Sequence, residues 1–335
     1  MTVTSDDVGR YVGFLESAAR ADALELALAL GAREPPVVVV TDLLGAAQVE
    51  VGRRWQANEW NVGREYAATA ITDYVLAALS SRWPADPRPA PPVVVLCAEG
   101  ESHALPARMA AEVLRLQGWP VTMLGAALPT EYVERYLRDH HVLACAVSCT
   151  LGRSLPGARR LVESAHACGI PVLAGGEALN DARAARIGAD AWAAGATEGA
   201  AVLDRWAADP PAGLRAPAEA PTGYGKLAAR LRDVGGVALG DMLLRVPGTE
   251  GRGRRWSAGI RGDLDLLLEF LIATLLMDDV GILVEFVQWL ERVMTAREEP
   301  VTIVAAMVDS VAAALDEGPP SARVALAAAR RVIPS

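Results

Sequence analysis

The sequence predicts a multi-domain α and α/β chain: an N-terminal four-helix bundle, a doubly wound parallel sheet and a C-terminal all-α domain. Three observations carry that prediction. Two proline-dense stretches, 83–92 (WPADPRPAPP) and 209–224 (DPPAGLRAPAEAPTGY), cannot continue a helix or join a ladder, so they read as linkers. Apolar residues before the first linker and after the second recur at helical spacing, whereas those between them alternate short β-rich runs with helical ones.

Residues 1–82 place Val12, Leu15 and Ala19, then Leu24, Leu26 and Leu30, then Val37 through Val51, then Ala67 to Leu79 on helical faces, broken at GAREPP and QANEWN. Four antiparallel helices are the economical reading. Residues 93–208 run VVVLC, PVTML, LACAVS, IPVLAG and ADAWAA with a helix after each, which predicts a Rossmann-like sheet with its ligand edge at the strand carboxyl ends. Residues 225–335 carry LDLLLEFLIATLLM, GILVEFVQWLERVM, VTIVAAMVDSVAAAL and SARVALAAARRV, preceded by GTEGRGRRWSAGIRG, which reads as a Gly/Arg loop. Long apolar helices of this kind suggest a globin-like or phycobiliprotein-like domain.

With 335 residues, 52% of them hydrophobic and 22% charged, the chain can bury more than one core. A net charge of −9 without a sustained basic face argues against direct nucleic-acid binding, which needs Lys and Arg to displace counterions. The N-terminus has no signal-peptide organisation and no run is apolar enough to span a membrane, so a cytoplasmic protein is expected. The four cysteines, Cys97, Cys145, Cys149 and Cys168, lack CxxC spacing and read as reduced, buried thiols.

One of only four histidines, His103, lies in EGESHALPARM, just past the first predicted strand. Later strand ends carry LGAALP (Leu124, Gly125), SCTL (Ser148, Thr150) and AGGEAL (Gly175, Gly176), small residues that leave a groove for a long ligand. His140 and His141, at a polar helix end, read as surface residues.

Glu-x-His followed by Leu-Gly, Ser-x-x-Leu and Gly-Gly at successive strand ends resembles the cobalamin-binding domain. The resemblance implies that His103 ligates cobalt from below with Glu101 as its acidic neighbour. It further implies that the displaced nucleotide tail lies over Ser148, Thr150, Gly175 and Gly176. The family often has glycine three residues after the histidine, where this chain has Pro106. VGRRWQANEWNVGREYAAT in turn resembles the helical cap of cobalamin-dependent photoreceptors, which implies Trp55 packing against the adenosyl group of adenosylcobalamin and Glu65 accepting from its ribose. Here Tyr66 replaces the histidine that follows that glutamate, and Gln56 stands where light-exposed repressors of the type have a cobalt-capturing histidine. The helical DNA-binding domain of those repressors is not expected, because the cap starts almost at Met1.

The whole order is similar to the photocobilins, which bind cobalamin and biliverdin. That resemblance implies a two-chromophore light sensor, not an enzyme, working on small-molecule chromophores, free to form a homo-oligomer and addressing a signalling partner the sequence does not identify. Arg252, Arg254, Arg255 and Arg261 would meet the bilin propionates, and Asp278 and Asp279 the pyrrole nitrogens. No cysteine follows Cys168, so the bilin would be held without a thioether. A corrinoid carrier of a methyltransferase system is the alternative, and a cobalamin-dependent interaction module a third reading.

Overall fold

In the computed structural model, which describes residues 3–222, 224–246, 253–315 and 319–334 without the side chains of 231–233, 253–255 and 257, Thr4 and Asp7 form a reciprocal capping box. That box satisfies the first free backbone N–H groups of α1 (Ser5–Glu16). After α2 (Arg20–Gly31), Pro36 opens α3 (Pro36–Val38), which runs through a π-helical turn, Val39–Gly45, into α4 (Ala46–Gln56). Asn61 caps α5 (Val62–Ser80) by accepting from the Arg64 N–H at 2.9 Å. Four rods result, as the apolar spacing predicts, and they bury Tyr11, Leu15, Leu30, Leu43, Leu44, Val51, Val75 and Leu79 between them.

Five parallel strands follow: β1 (Val93–Cys97), β2 (Val121–Gly125), β3 (Ala144–Ser148), β4 (Val172–Gly175) and β5 (Ala191–Trp192). Their spatial order is β2-β1-β3-β4-β5. The connecting helices are α6 (Ala104–Leu116), α7 (Thr130–Asp139), α8 (Leu155–Ala167) and α9 (Asp181–Ile187), with α10 (Ala196–Ala208) after β5. The order reverses between β1 and β3, so the crevice outside their carboxyl ends is where this topology accepts a ligand.

One helix joins the two layers. Leu105 and Val113 of α6 belong to the bundle core, while Ala107, Ala111 and Leu114 belong to the core beneath the sheet. Around it Ser80 Oγ donates to Glu112 Oε2 at 2.8 Å, Arg115 Nη2 donates to the Trp83 carbonyl at 3.1 Å, and Asp73 pairs with Arg108. The bundle is therefore bolted to the sheet through the helix whose N-cap is His103.

The chain divides into two compact units, Met1–Ala218 and Glu219–Ser335. The second contains, among the described residues, five helices: α11 (Tyr224–Arg245), α12 (Gly253–Met277), α13 (Gly281–Ala296), α14 (Thr302–Ala314) and α15 (Pro320–Arg331). Its interior stacks Phe270 on Phe286 at 4.2 Å between ring centroids. Here the structure corrects the sequence reading: the supposed Gly/Arg loop is helical from Gly253 onward, because glycine weakens a helix by only about 1 kcal/mol and packing overrides it. No described helix is long and apolar enough to cross a membrane.

Candidate functional site

The site begins with a carboxylate. After β1 the chain turns at Gly100, whose φ of 88° favours glycine, and places Glu101 side-on beneath the end of β3 with a side chain that is 0% exposed. Its Oε2 accepts from the backbone N–H groups of Thr150 (3.0 Å) and Leu151 (2.8 Å). Its Oε1 accepts from the His103 N–H at 3.0 Å and lies 2.5 Å from His103 Nδ1. One carboxylate thus ties the loops after β1 and β3 together at the switch point. Burial by itself would raise its pKa; the hydrogen bonds from His103 and Leu151 outweigh that and hold it at about 2.

The same contact orients His103. Its hydrogen bond to Glu101 raises its pKa against the effect of burial, and a proton fixed on Nδ1 leaves the Nε2 lone pair directed away from the carboxylate. The imidazole is 47% exposed, so that second nitrogen is accessible. Among the described residues no three His, Cys, Asp or Glu side chains converge on a metal position. A single imidazole donor suits a metal whose remaining positions a macrocycle already fills.

The groove floor is in register across three strands, with Cys97 opposite Ser148 and Ser148 opposite Gly175. The Ser148 carbonyl accepts from the Ala98 N–H and the Gly175 carbonyl from the Cys149 N–H, at 2.8 and 2.9 Å. Burial pushes the Cys97 thiol up to about 12, which makes it a packing residue rather than a nucleophile. Leu124 and Gly125 end β2 at a bulge opposite Leu96, and Gly125 has φ 86° with open space where a side chain would begin. Gly176 has φ 105°, and a Cβ on it would lie 2.4 Å from the Cys149 carbonyl oxygen; its own backbone demands glycine irrespective of any ligand. Two buried hydroxyls here, Thr150 Oγ1 and Ser154 Oγ, have no hydrogen-bond partner among the described residues, a deficit that a polar ligand edge would remove.

The bundle supplies the opposite wall. Trp55 ends α4 and Glu65 begins α5, and the turn between them is pinned by Trp60, which is buried beneath the guanidinium groups of Arg54 (5.3 Å) and Arg64 (5.9 Å). Glu65 is half-buried, which raises its pKa, and it lies close enough to His103 for the two charges to act on each other. Arg153, in the 3₁₀ turn after β3, also acts on His103 through its charge. Trp55, Glu65, Glu101, His103, Ser148, Thr150, Gly175 and Gly176 all lie in the first unit, and the charges of Glu65 and Glu101 both act on the imidazole.

The residues assigned to a bilin belong to the second unit. Arg252 is outside the described residues, and of Arg254 and Arg255 only the helical backbone of α12 is described. Arg261 pairs with Asp265 one turn on, at 3.6 Å. Asp278 is exposed at the end of α12, and Asp279 Oδ1 accepts from the Gly281 N–H at 2.9 Å, just ahead of α13. The sequence reading passed over Asp263, whose burial raises its carboxyl to about 6 opposite the Arg297 charge. It also passed over Gly157, although a glycine just after Pro156 in a helix's first turn was a readable signal of close approach.

A carboxylate-anchored imidazole at the β1/β3 crevice, beside a helical bundle, is an arrangement suited to a corrinoid-binding module. Residues 91–203 match a family model described as B12 binding domain, and residues 12–80 match a second of the same description. The chain thus carries two B12 binding domains, which indicate a corrinoid cofactor. No curated protein matches the sequence. Among solved structures, the monomethylamine corrinoid protein of Methanosarcina barkeri is similar in fold, at 22% identity and a TM-score of 0.53 over 59% of this chain and 98% of that one. A cobalamin-binding protein from Desulfitobacterium hafniense matches at 19% identity and a TM-score of 0.34, over 59% of this chain and 98% of that one. The methanol:cobalamin methyltransferase complex of Methanosarcina barkeri matches at 17% identity and 0.35, over 62% and 82%.

Proposed function

We propose that this chain is a corrinoid carrier that holds cobalamin with His103 below the cobalt and offers the upper face, beneath the helical bundle, to a partner methyltransferase. The observation that supports the reading is the likeness in fold to a monomethylamine corrinoid protein, which covers 98% of that protein and 59% of this chain. Bound cobalamin supplies a cobalt centre able to accept and give up a one-carbon group. His103 presents its Nε2 lone pair, and Glu101 keeps the proton on Nδ1. Ser148 and Thr150, at and just past the end of β3, would lie along the tail, and the helical bundle would cover the upper face. Catalysis then belongs to the partner, and the chain works in the cytoplasm.

A second reading is favoured by a specific observation: the corrinoid-protein fold accounts for only 59% of the chain, and the elements described in the second unit are all helices. In that reading the protein is a light sensor, with adenosylcobalamin beneath Trp55 and Glu65 and biliverdin held without a covalent bond in a globin-like second unit. Purified protein is incubated with adenosylcobalamin and biliverdin and its absorption recorded before and after green light. The carrier reading predicts cobalamin uptake without a red-absorbing bilin band. A red band at stoichiometric biliverdin, removable by acid extraction and altered by light, would instead establish the sensor.

A further inference from the structure

The turn that delivers Glu101 and His103 is held by a second carboxylate. The Glu101 N–H donates to the Ala98 carbonyl at 2.9 Å, which closes a turn with Glu99 and Gly100 at its centre. A φ of 88° at Gly100 makes the turn type II. The peptide between the two central residues can stand in two opposite orientations, type I or type II, and its oxygen is the Glu99 carbonyl. That oxygen lies against Gly157 in the first turn of α8, where a Cβ would come within 1.9 Å of it.

The Glu99 side chain reaches two helices beyond the turn. Its Oε2 accepts from Thr130 Oγ1, at the start of α7, at 3.0 Å and from Arg160 Nε, one turn past Gly157 on α8, at 2.7 Å. Burial by itself would raise its pKa; the bonds from Arg160 and Thr130 outweigh that and keep the carboxyl below its ordinary value. A Ser or Asp at position 129 would cap α7 locally, but Pro129 stands there and gives no side-chain cap. The partner of Thr130 comes instead from the loop that carries the imidazole.

The path from this carboxylate to His103 is continuous. Glu99 is central to the turn, and Glu101 ends it. Glu101 Oε1 then meets the His103 N–H and Nδ1 at 3.0 and 2.5 Å, while its Oε2 is fixed by the Thr150 and Leu151 N–H groups. Two carboxylates, one on each side of Gly100, therefore tie the turn to α7 and α8 and to the loop after β3.

We propose that Glu99, Thr130 and Arg160 form a clamp of positioning residues that fixes the turn 98–101 and thereby how firmly His103 holds the cobalt. The inference rests on the reading of His103 as the lower ligand. A turn released from α7 and α8 still presents the imidazole, but in a wider range of orientations, so a smaller fraction of them reaches the metal.

The full chain is loaded with methylcobalamin, whose methyl group weakens the bond opposite it, so that a loosened histidine shows as unligated cofactor. The ratio of ligated to unligated forms is read from the visible spectrum, with His103→Ala as the reference for lost histidine ligation. Glu99→Ala and Arg160→Met are each expected to lower the ratio about 5-fold, the upper end for an exposed ion pair. Arg160→Lys, which keeps the charge, is expected to recover part of it. Melting temperatures are recorded in parallel, because a residue that only caps α7 moves stability and leaves the ratio alone. Arg160 has a 55% exposed side chain, so Arg160→Met keeps the test open if Glu99→Ala does not fold. An unchanged ratio in Arg160→Met, with ligation lost in His103→Ala, overturns the inference. A ratio that His103→Ala leaves unchanged overturns the reading of His103 itself.

Discussion

Gly157→Ala is expected to destabilise the first unit by about 3 kcal/mol or more and to abolish cobalamin uptake. A Cβ at Gly157 would sit 1.9 Å from the Glu99 carbonyl oxygen and 2.8 Å from its carbon. Both are backbone atoms, so no rotamer relieves the clash. Either α8 shifts or the loop after β1 is pushed outward, and that loop carries Glu101 and His103. Gly176→Ala is expected to act similarly, since it adds an unfavourable φ to a 2.4 Å approach to the Cys149 carbonyl oxygen. Thermal melting with and without cobalamin checks both; a Gly157→Ala protein that melts within about 2 °C of the parent and takes up cobalamin normally would show that the loop yields freely.

Glu101→Gln is expected to cost about 3 kcal/mol at pH 7, because a carboxyl held at about 2 instead of its ordinary 4.5 contributes that much to folding. The amide keeps the shape but offers one acceptor where four N–H donors point. The sign follows from the lowered pKa: the contribution is present in full above the ordinary value and fades as pH falls through 4.5 toward 2. Urea midpoints of parent and variant should therefore differ most near neutrality and converge near pH 2. A gap undiminished at that pH would trace the loss to packing. Cobalamin affinity should fall about 10- to 100-fold in the variant, the usual effect of losing the group that orients a metal-bound histidine.

What could be read from the sequence was what depends on neighbours in the chain. Glu101 and His103 are two residues apart, and the five β-rich runs announce the sheet; β5 shrinks to Ala191–Trp192 because it closes one edge. The π-helical turn Val39–Gly45 was hidden, since VVVVTDLLG carries no clean period. Helix α11 and the start of α12 were obscured by glycines such as Gly235, Gly236, Gly240 and Gly253. The Thr150 and Leu151 donors to Glu101 are backbone groups and leave no mark on composition. Glu99, Thr130 and Arg160 come together only when α7 and α8 pack beside the loop after β1, so no local pattern reveals them. Gly176 looked like room for a ligand, yet the Cys149 carbonyl already demands it.

His103 Nε2 is proposed as the lower ligand of the cobalt, with the cofactor's own base displaced. Electron paramagnetic resonance of the cob(II)alamin-loaded protein tests it most directly when the chain is labelled with ¹⁵N-histidine. With His103 on the metal, the nitrogen splitting changes from the ¹⁴N to the ¹⁵N pattern on labelling and is absent in His103→Ala. A ¹⁴N pattern that survives labelling unchanged would mean that the cofactor's own base stays on the metal, and would contradict it.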